Sequence, residues 1–406
     1  MTDEVGELVL QDNYAQTLAI SMAEARAPQL LDEHVRFMRA LEHENLLDRA
    51  VELLPTDEEI AERRAAGVGL TRPEIAVLVA YAKITVFSEL VQSGVPDDPY
   101  LERFLVDYMP TPIRSKYSEV LKTHRLRREI IATVVANVMI NETGPSLCNR
   151  LCEETGASVA AIVRAFIIAR EIFGLPGIAA EINALDNKVA AATQIGMHQA
   201  LSEMAAAQCL RLLQDGIGRP VADLVAFYGP GISRVMSEAE SMIAEFSQRR
   251  LAERTAELVG AGAPPALAEK VAQLELLGGA IDVVEVAAKL GREVVDVATN
   301  YFAAGARMRL DWLRSAARAI QPADHWERIA LGRLLTDLRA QQSAIGAAAL
   351  TLEGAEPGPA GIARWVDANP DATARATHLI DELSTGAPLS LAKLAVVTSQ
   401  IKAIGG

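Results

Sequence analysis

Apolar residues recur along almost the whole chain at helical spacing. Nowhere do they alternate over about four to eight positions between turn residues, as a half-buried strand requires. Residues 7–22 set Leu8, Leu10, Tyr14, Leu18 and Met22 in one broad stripe. Pro28 opens a second helix, whose face continues through Leu31, Val35, Met38 and Leu41. Leu54-Pro55 breaks that run. Thr56 and Glu59 then have the spacing of a capping box, in which hydroxyl and carboxylate each satisfy a backbone N–H at the helix start. Thr71 and Glu74 repeat the device, with Pro73 tolerated because first-turn N–H groups have no helical partner. The helix they open carries Ile75, Leu78, Val79, Ala82 and Val86 and ends near Ser93-Gly94.

Asp97-Asp-Pro99 starts a short helix, and Met109-Pro-Thr-Pro112 reads as a rigid connector. A strong helix over 124–141 stops at Gly144-Pro145. Shorter ones follow at 146–154 and 159–173, ended by Gly156 and Gly174. Residues 186–214 and 232–258 read as two long helices, the first Ala-rich. Between them lies a weak point at 216–220, with Gly229-Pro-Gly231 close behind. After a linker at 261–265 come helices at 266–276, 280–289, 293–307 and 323–352, then a Gly- and Pro-rich loop at 353–361 and two closing helices. The pattern predicts an all-α, multi-helix array. Its segments are 1–55, a first helical unit at 56–185, and a second at 186–406 with the long Ala-rich helices.

Residues 151–175 and 286–310 align without gaps at an offset of 135, pairing Gly156 with Gly291, Val159 with Val294, Phe166 with Tyr301, Ala169 with Ala304 and Leu175 with Leu310. Helices of like pattern produce such echoes by chance. A true duplication would instead make two related helical units, since a solenoid needs three or more repeats.

Composition narrows the classes. Against 53 Asp+Glu there are 39 Lys+Arg, a net charge of −14, the wrong sign for a surface that neutralises phosphate backbones. Hydrophobic residues make up 50% of the chain and aromatics 4%, enough aliphatic material for a core and too much for a disordered chain. Cys148, Cys152 and Cys209 are too few for a disulfide framework and fit a reducing compartment, the cytoplasm. No apolar run approaches the roughly 20 residues of a membrane span, and the acidic first residues do not resemble a signal peptide. The expectation is a chain with neither nucleic-acid nor membrane partners.

Chemistry is sparse. Neither Gly67-Val-Gly69 nor Gly229-Pro-Gly231 follows a strand or completes a dinucleotide-binding fingerprint, so both read as helix punctuation. His34, His43, His124, His198, His325 and His378 have no Glu three residues before them and no His three or four away, which removes the helical-bundle metal patterns. His198 reads as a partly exposed polar position. Cys148 and Cys152 share a helix face but lack two further ligands, so they read as small packing residues. Lys122, His124, Arg125, Arg127 and Arg128 form the densest basic cluster, either a solvated face paired with local carboxylates or an anion or interdomain contact. Arg307, Arg309 and Arg314 around Trp312 make a weaker patch. No acid/base pair stands out. The expected catalytic, cofactor-binding and metal residues are none.

Several stretches resemble a known family. Leu10-Gln-Asp-Asn-Tyr-Ala-Gln-Thr-Leu-Ala19 with Ala23-Glu-Ala-Arg26 is similar to the stretch after the dehydrogenase core of the large bacterial NAD-specific glutamate dehydrogenases. Leu54-Pro-Thr-Asp-Glu-Glu59, residues 63–69 and Leu70-Thr-Arg-Pro-Glu-Ile-Ala-Val-Leu-Val-Ala-Tyr-Ala-Lys83 resemble the same family. So do Asp97-Asp-Pro-Tyr-Leu101, His124-Arg-Leu-Arg-Arg-Glu-Ile-Ile-Ala-Thr133 and Glu153-Glu-Thr-Gly-Ala157. Beyond 186 the likeness is looser, carried by Tyr301-Phe302 and Leu310-Asp-Trp-Leu313. The resemblance implies a C-terminal helical region of a longer polypeptide that converts L-glutamate to 2-oxoglutarate and ammonium with NAD. The lysines, catalytic acid and nucleotide-binding glycines of that enzyme would lie upstream of Met1. The segment alone is then expected to be inactive, to contact the core of its own polypeptide, and to belong to a homo-oligomer. The alternative is an independent helical scaffold for protein interaction.

Overall fold

The structure, a computed structural model, describes residues 2–322, 324–386 and 388–405. Among these residues there is no strand, and the elements are α-helices joined by short turns and three 3-10 segments. Two compact units divide between Val225 and Ala226, inside one helix. The borders expected near residues 55 and 185 are inter-helix turns within the first unit.

The first unit begins with α1 (Thr2–Ala25) and α2 (Ala27–His43), followed by α3 (Asp57–Ala66) and α4 (Arg72–Gln92). Thr56 caps α3 as its spacing predicts: the Thr56 N–H donates to Glu59 Oε2 at 2.8 Å and the Glu59 N–H donates to Thr56 Oγ1 at 3.3 Å. At α4 the Thr71 N–H donates to Glu74 Oε2 at 2.6 Å, and Arg63 holds both oxygens of the same carboxylate at 2.6 and 2.8 Å. A Cβ at Gly69 would fall 2.1 Å from the Ala27 carbonyl carbon, so glycine there permits the close pass of the α3–α4 turn over α2.

The unit continues through α5 (Glu102–Tyr108), α6 (Thr111–Leu121), α7 (Arg127–Thr143), α8 (Leu147–Thr155), α9 (Val159–Ile172), α10 (Leu175–Asn183) and α11 (Ala191–Asp215). The 109–112 stretch is not merely a connector. Pro110 is the N-cap of α6 and Pro112 lies in its first turn, where a missing N–H costs nothing. Helices α4, α7 and α9 supply the core, with Leu78, Val79, Ile131, Met139, Phe166 and Ile167 fully enclosed.

The second unit takes in most of α12 (Val221–Met242), then α13 (Glu245–Gly260), α14 (Pro265–Gln273), α15 (Ala280–Leu290), α16 (Val294–Arg307), α17 (Leu310–Arg318) and α18 (His325–Thr351). It closes with α19 (Pro359–Ala368), α20 (Pro370–Thr385) and α21 (Leu391–Gly405). The expected 232–258 helix is therefore two. Gly229-Pro-Gly231 lies inside α12 rather than ending it, and a Cβ at Gly231 would sit 2.7 Å from Val284 Cγ2, so this glycine lets α12 and α15 approach. Three helices close the chain rather than two, because Pro370 cannot continue α19. Met308, Leu313, Leu338, Ile345, Trp365 and Ile401 fill the core. Asn300 ties it together: its amide donates to the Gly346 carbonyl at 3.1 Å and its oxygen accepts the Gly358 N–H.

The sequence echo extends into the helix boundaries. At the offset of 135, α9 superposes its limits on α16, both of 14 residues, and α10 on α17, both of nine. Helices α8 and α15 end one residue before the left-handed glycines Gly156 and Gly291, at φ +69° and +62°. The limits of α11 and α18 agree to one residue at the same offset. Chance likeness between two apolar helices gives no reason for matched turns as well, so the coincidence favours an internal duplication.

Candidate functional site

The first unit holds a cleft of about 340 Å³ walled by α1, α5, α7, α10 and α11. Leu8 and Leu18 from α1 and Leu201 from α11 make part of an apolar wall, into which a few polar side chains are set. One is His198, which is 7% exposed and so buried rather than partly exposed. Its Nε2 lies 2.9 Å from Asn183 Oδ1, and burial pulls its pKa down to about 4, so the ring is neutral at neutral pH. Asn141 Oδ1, also on the wall, is buried without a hydrogen-bond partner. Glu142 beside it is raised by burial, against the pull of Arg170, whose Nε donates to both carboxylate oxygens at 2.9 and 3.0 Å.

His198 is neutral and held by Asn183, Ser202 lines the cleft one turn further along α11, and the Glu142 carboxylate is engaged by Arg170. Among the described residues, no three His, Cys, Asp or Glu side chains converge as a metal site would need, and no helix is long and apolar enough to cross a membrane.

The α1 helix contributes more than its share of this wall. Its first half is exposed, with Val5, Val9 and Leu10 presenting apolar surface, Leu10 at 66%. Only from Ala19 does α1 bury residues. By contrast α2 spends its apolar face inside the unit: Leu31 is 3% exposed, and Met38 and Leu41 are enclosed. Of the two amino-terminal helices, α1 alone keeps an uncovered apolar edge.

Three of the basic cluster's cations, Lys122, Arg127 and Arg128, are paired locally. Lys122 meets Glu119 at 3.0 Å and Glu102 at 3.5 Å, and Arg127 and Arg128 both reach Asp97. Arg128 also donates to the Val91 and Ser93 carbonyls at 2.9 and 2.8 Å, a cationic cap on the end of α4. Cys148 is buried and Cys152 half-buried. The hydrogen bond between the two thiols, and then burial, raise Cys148 well above the usual thiol range. Cys209 is buried and donates to the Ile162 carbonyl at 3.5 Å, and burial raises it strongly. Cys148 and Cys209 are enclosed in the packing, whereas the half-buried Cys152 is held below the usual thiol range by its hydrogen bond with Cys148. Arg309 lies 5.5 Å from the centre of the Trp312 ring and pairs with Asp381, while Arg314 pairs with Asp311.

The family described as "Glutamate dehydrogenase, C-terminal" matches residues 67–403. The chain is 34% identical over 402 residues to an NAD-specific glutamate dehydrogenase of Halomonas elongata, covering 99% of this chain and 25% of the relative. A Pseudomonas aeruginosa protein of the same description is 34% identical over 405 residues, with the same coverage. The Mycobacterium tuberculosis counterpart is 28% identical over 420 residues. The chain thus spans about a quarter of the length of the curated relatives it matches.

Proposed function

The chain belongs to the family of glutamate dehydrogenase C-terminal regions, and on that premise we propose that it is a non-catalytic helical region of an NAD-specific glutamate dehydrogenase, acting by protein–protein contact on the catalytic core of its own polypeptide. The parent reaction in this reading converts L-glutamate, NAD and water to 2-oxoglutarate, ammonium and NADH. NAD is then the cofactor of the parent and not of this segment. The reading carries with it a cytoplasmic location and a homo-oligomeric parent.

The observation that carries it is the uncovered apolar edge of α1. Val5 and Val9, one turn apart, and Leu10 on another side of the helix are all exposed, on the same α1 whose Leu8 and Leu18 help to wall the cleft. Apolar surface gathered at one end of a helix suits a contact surface. The cleft suits the same reading, because its wall is largely apolar with a few hydrogen-bonding side chains set in it.

Two measurements test the proposal together. Calorimetric titration of the 406-residue chain with NAD should give no binding in the micromolar range. Mixing the chain with a separately produced dehydrogenase region should give one complex on a sizing column and a more heat-stable dehydrogenase. Micromolar NAD binding would overturn the non-catalytic reading. A dehydrogenase region with full activity and assembly, indifferent to the chain, would favour the independent scaffold.

A further inference from the structure

The second unit holds a recess of about 60 Å³ where α13, the turn at residues 275–278, α16, α17 and α18 converge. Five arginines line it: Arg250 and Arg254 from α13, Arg314 and Arg318 from α17, and Arg339 from α18. In a chain of net charge −14 this is an anomalous concentration. Two lining carboxylates answer it. Glu275 is shared between Arg318 at 3.0 Å and Arg250 at 3.6 Å, and Asp311 takes Arg314 at 2.5 Å. Arg254 turns to Glu257 at 2.6 Å.

Arg339 differs from the other four. Among the described residues it makes no hydrogen bond or ion pair closer than 4 Å, yet it is mostly buried and its side chain lies against the backbone at Gly278. A Cβ there would stand 3.1 Å from Arg339 Nε. Burial pulls its guanidinium below the ordinary arginine range. The charges of Arg314 and Arg318 pull the same way, while Tyr301 and Asp282 oppose them. A partly buried cation with like-charged neighbours and no ion-pair partner favours an anion beside it. Ser315 adds a hydroxyl to the lining, and the buried Ser247 donates to Asp311 at 3.4 Å. Planar guanidinium forks with neighbouring hydroxyls are the side chains that recognise tetrahedral and carboxylate oxyanions.

From the five converging arginines and the unpaired Arg339 among them, we propose that this recess binds a compact, multiply charged oxyanion of phosphate size. The volume holds on the order of four or five waters, room for a phosphate group and too little for a nucleotide. The anion accepts hydrogen bonds from Arg339 at the floor and from Arg318 and Arg254 toward the mouth. The second unit then carries a ligand site unrelated to the α1 cleft.

The test is calorimetric titration of inorganic phosphate into the 406-residue chain, with ionic strength held constant by sodium chloride. Saturable binding of one phosphate per chain is expected, weakened about tenfold or more by Arg339→Gln, which removes a charge-assisted pair of bonds. Because Arg339 has no partner to lose, that variant should melt no lower than the parent without phosphate, and should lose the phosphate-induced rise in Tm. Should Arg339→Gln fail to fold, the double change Arg250→Gln with Arg254→Gln, on the solvent side of α13, carries the same test at the rim. Heats no larger than those of chloride would overturn the proposal. So would unchanged affinity in either variant, a lower Tm of Arg339→Gln without phosphate, or tighter binding of succinate than of phosphate.

Discussion

Gly174 and Arg309, 135 residues apart, hold the same left-handed backbone conformation, φ +61° with ψ +25° and φ +54° with ψ +27°. Each is the residue before a nine-residue helix, and each lets the chain leave one helix and start the next without a linker. Glycine takes this conformation freely, whereas an L-residue pays roughly 1 kcal/mol or more. Nothing lies within 4 Å of a Cβ built on Gly174, so backbone preference alone is at stake there. Gly174→Ala should lower stability by about 1 kcal/mol. Arg309→Gly relieves the same strain but forfeits the partly exposed pair with Asp381 and the Trp312 contact, worth a comparable amount. It should be close to neutral. Urea unfolding of both variants checks this pair of values, and a costly Arg309→Gly would show that its side chain matters more than its backbone.

The same two residues mark where the sequence was opaque. Helices α10 and α17 were not anticipated, because a helix boundary made by one left-handed residue leaves almost no trace: Gly174 reads as a terminator, and Arg309 as nothing at all. Capping boxes and apolar stripes, by contrast, made α3, α4, α7, α9 and α16 legible, since the signals are local and strong. Gly229-Pro-Gly231 misled, because its glycine serves helix–helix approach inside α12 rather than a turn. The cleft and the arginine recess were invisible for another reason. Their polar members lie scattered, from Asp12 to His198 in one case and from Ser247 to Arg339 in the other, and only packing collects them.

Two buried histidines make the stability depend on pH. Burial pulls both His34 and His198 from 6.5 to about 4, with Glu33 opposing at His34. Unfolded, each ring takes a proton near pH 6.5; folded, it does so only near 4. The unfolded state therefore binds more protons across that window, and stability falls as pH drops through it. Between pH 7 and pH 5 the loss should be about 2 kcal/mol per histidine. His34 lies fully enclosed with both ring nitrogens unpartnered, so His34→Leu should remove its share of the slope. Melting temperatures from pH 5 to 7.5 for the parent and this variant decide it: parallel curves would clear His34 of any part.

Asn300 offers a test within the second unit. It is fully buried and satisfies the Gly346 carbonyl and the Gly358 N–H with one side chain. Removing it strands two buried backbone groups and leaves a small void. Asn300→Ala should cost about 3 kcal/mol, and hydrogen exchange should quicken first at α19 and the end of α18, the segments this side chain joins. A loss under about 1 kcal/mol would mean that water replaces the amide.

The contact proposed for α1 gives the last prediction. Leu31 and Leu10 both belong to the apolar pattern of the amino-terminal helices, but Leu31 is 3% exposed and Leu10 66%. Leu31→Glu buries a carboxylate without a partner and should unfold the first unit, a cost of several kcal/mol. Leu10→Glu meets solvent and should leave the melting of the 406-residue chain within about 0.5 kcal/mol of the parent. If α1 is a contact edge, the same Leu10→Glu should weaken association with the dehydrogenase region by tenfold or more, because an apolar anchor gives way to a charge that must be desolvated. Adding Val9→Glu should deepen the effect without destabilising the isolated chain. Equal association for parent and double variant would remove α1 from the interface and leave its exposed apolar side chains an ordinary feature of a protein surface.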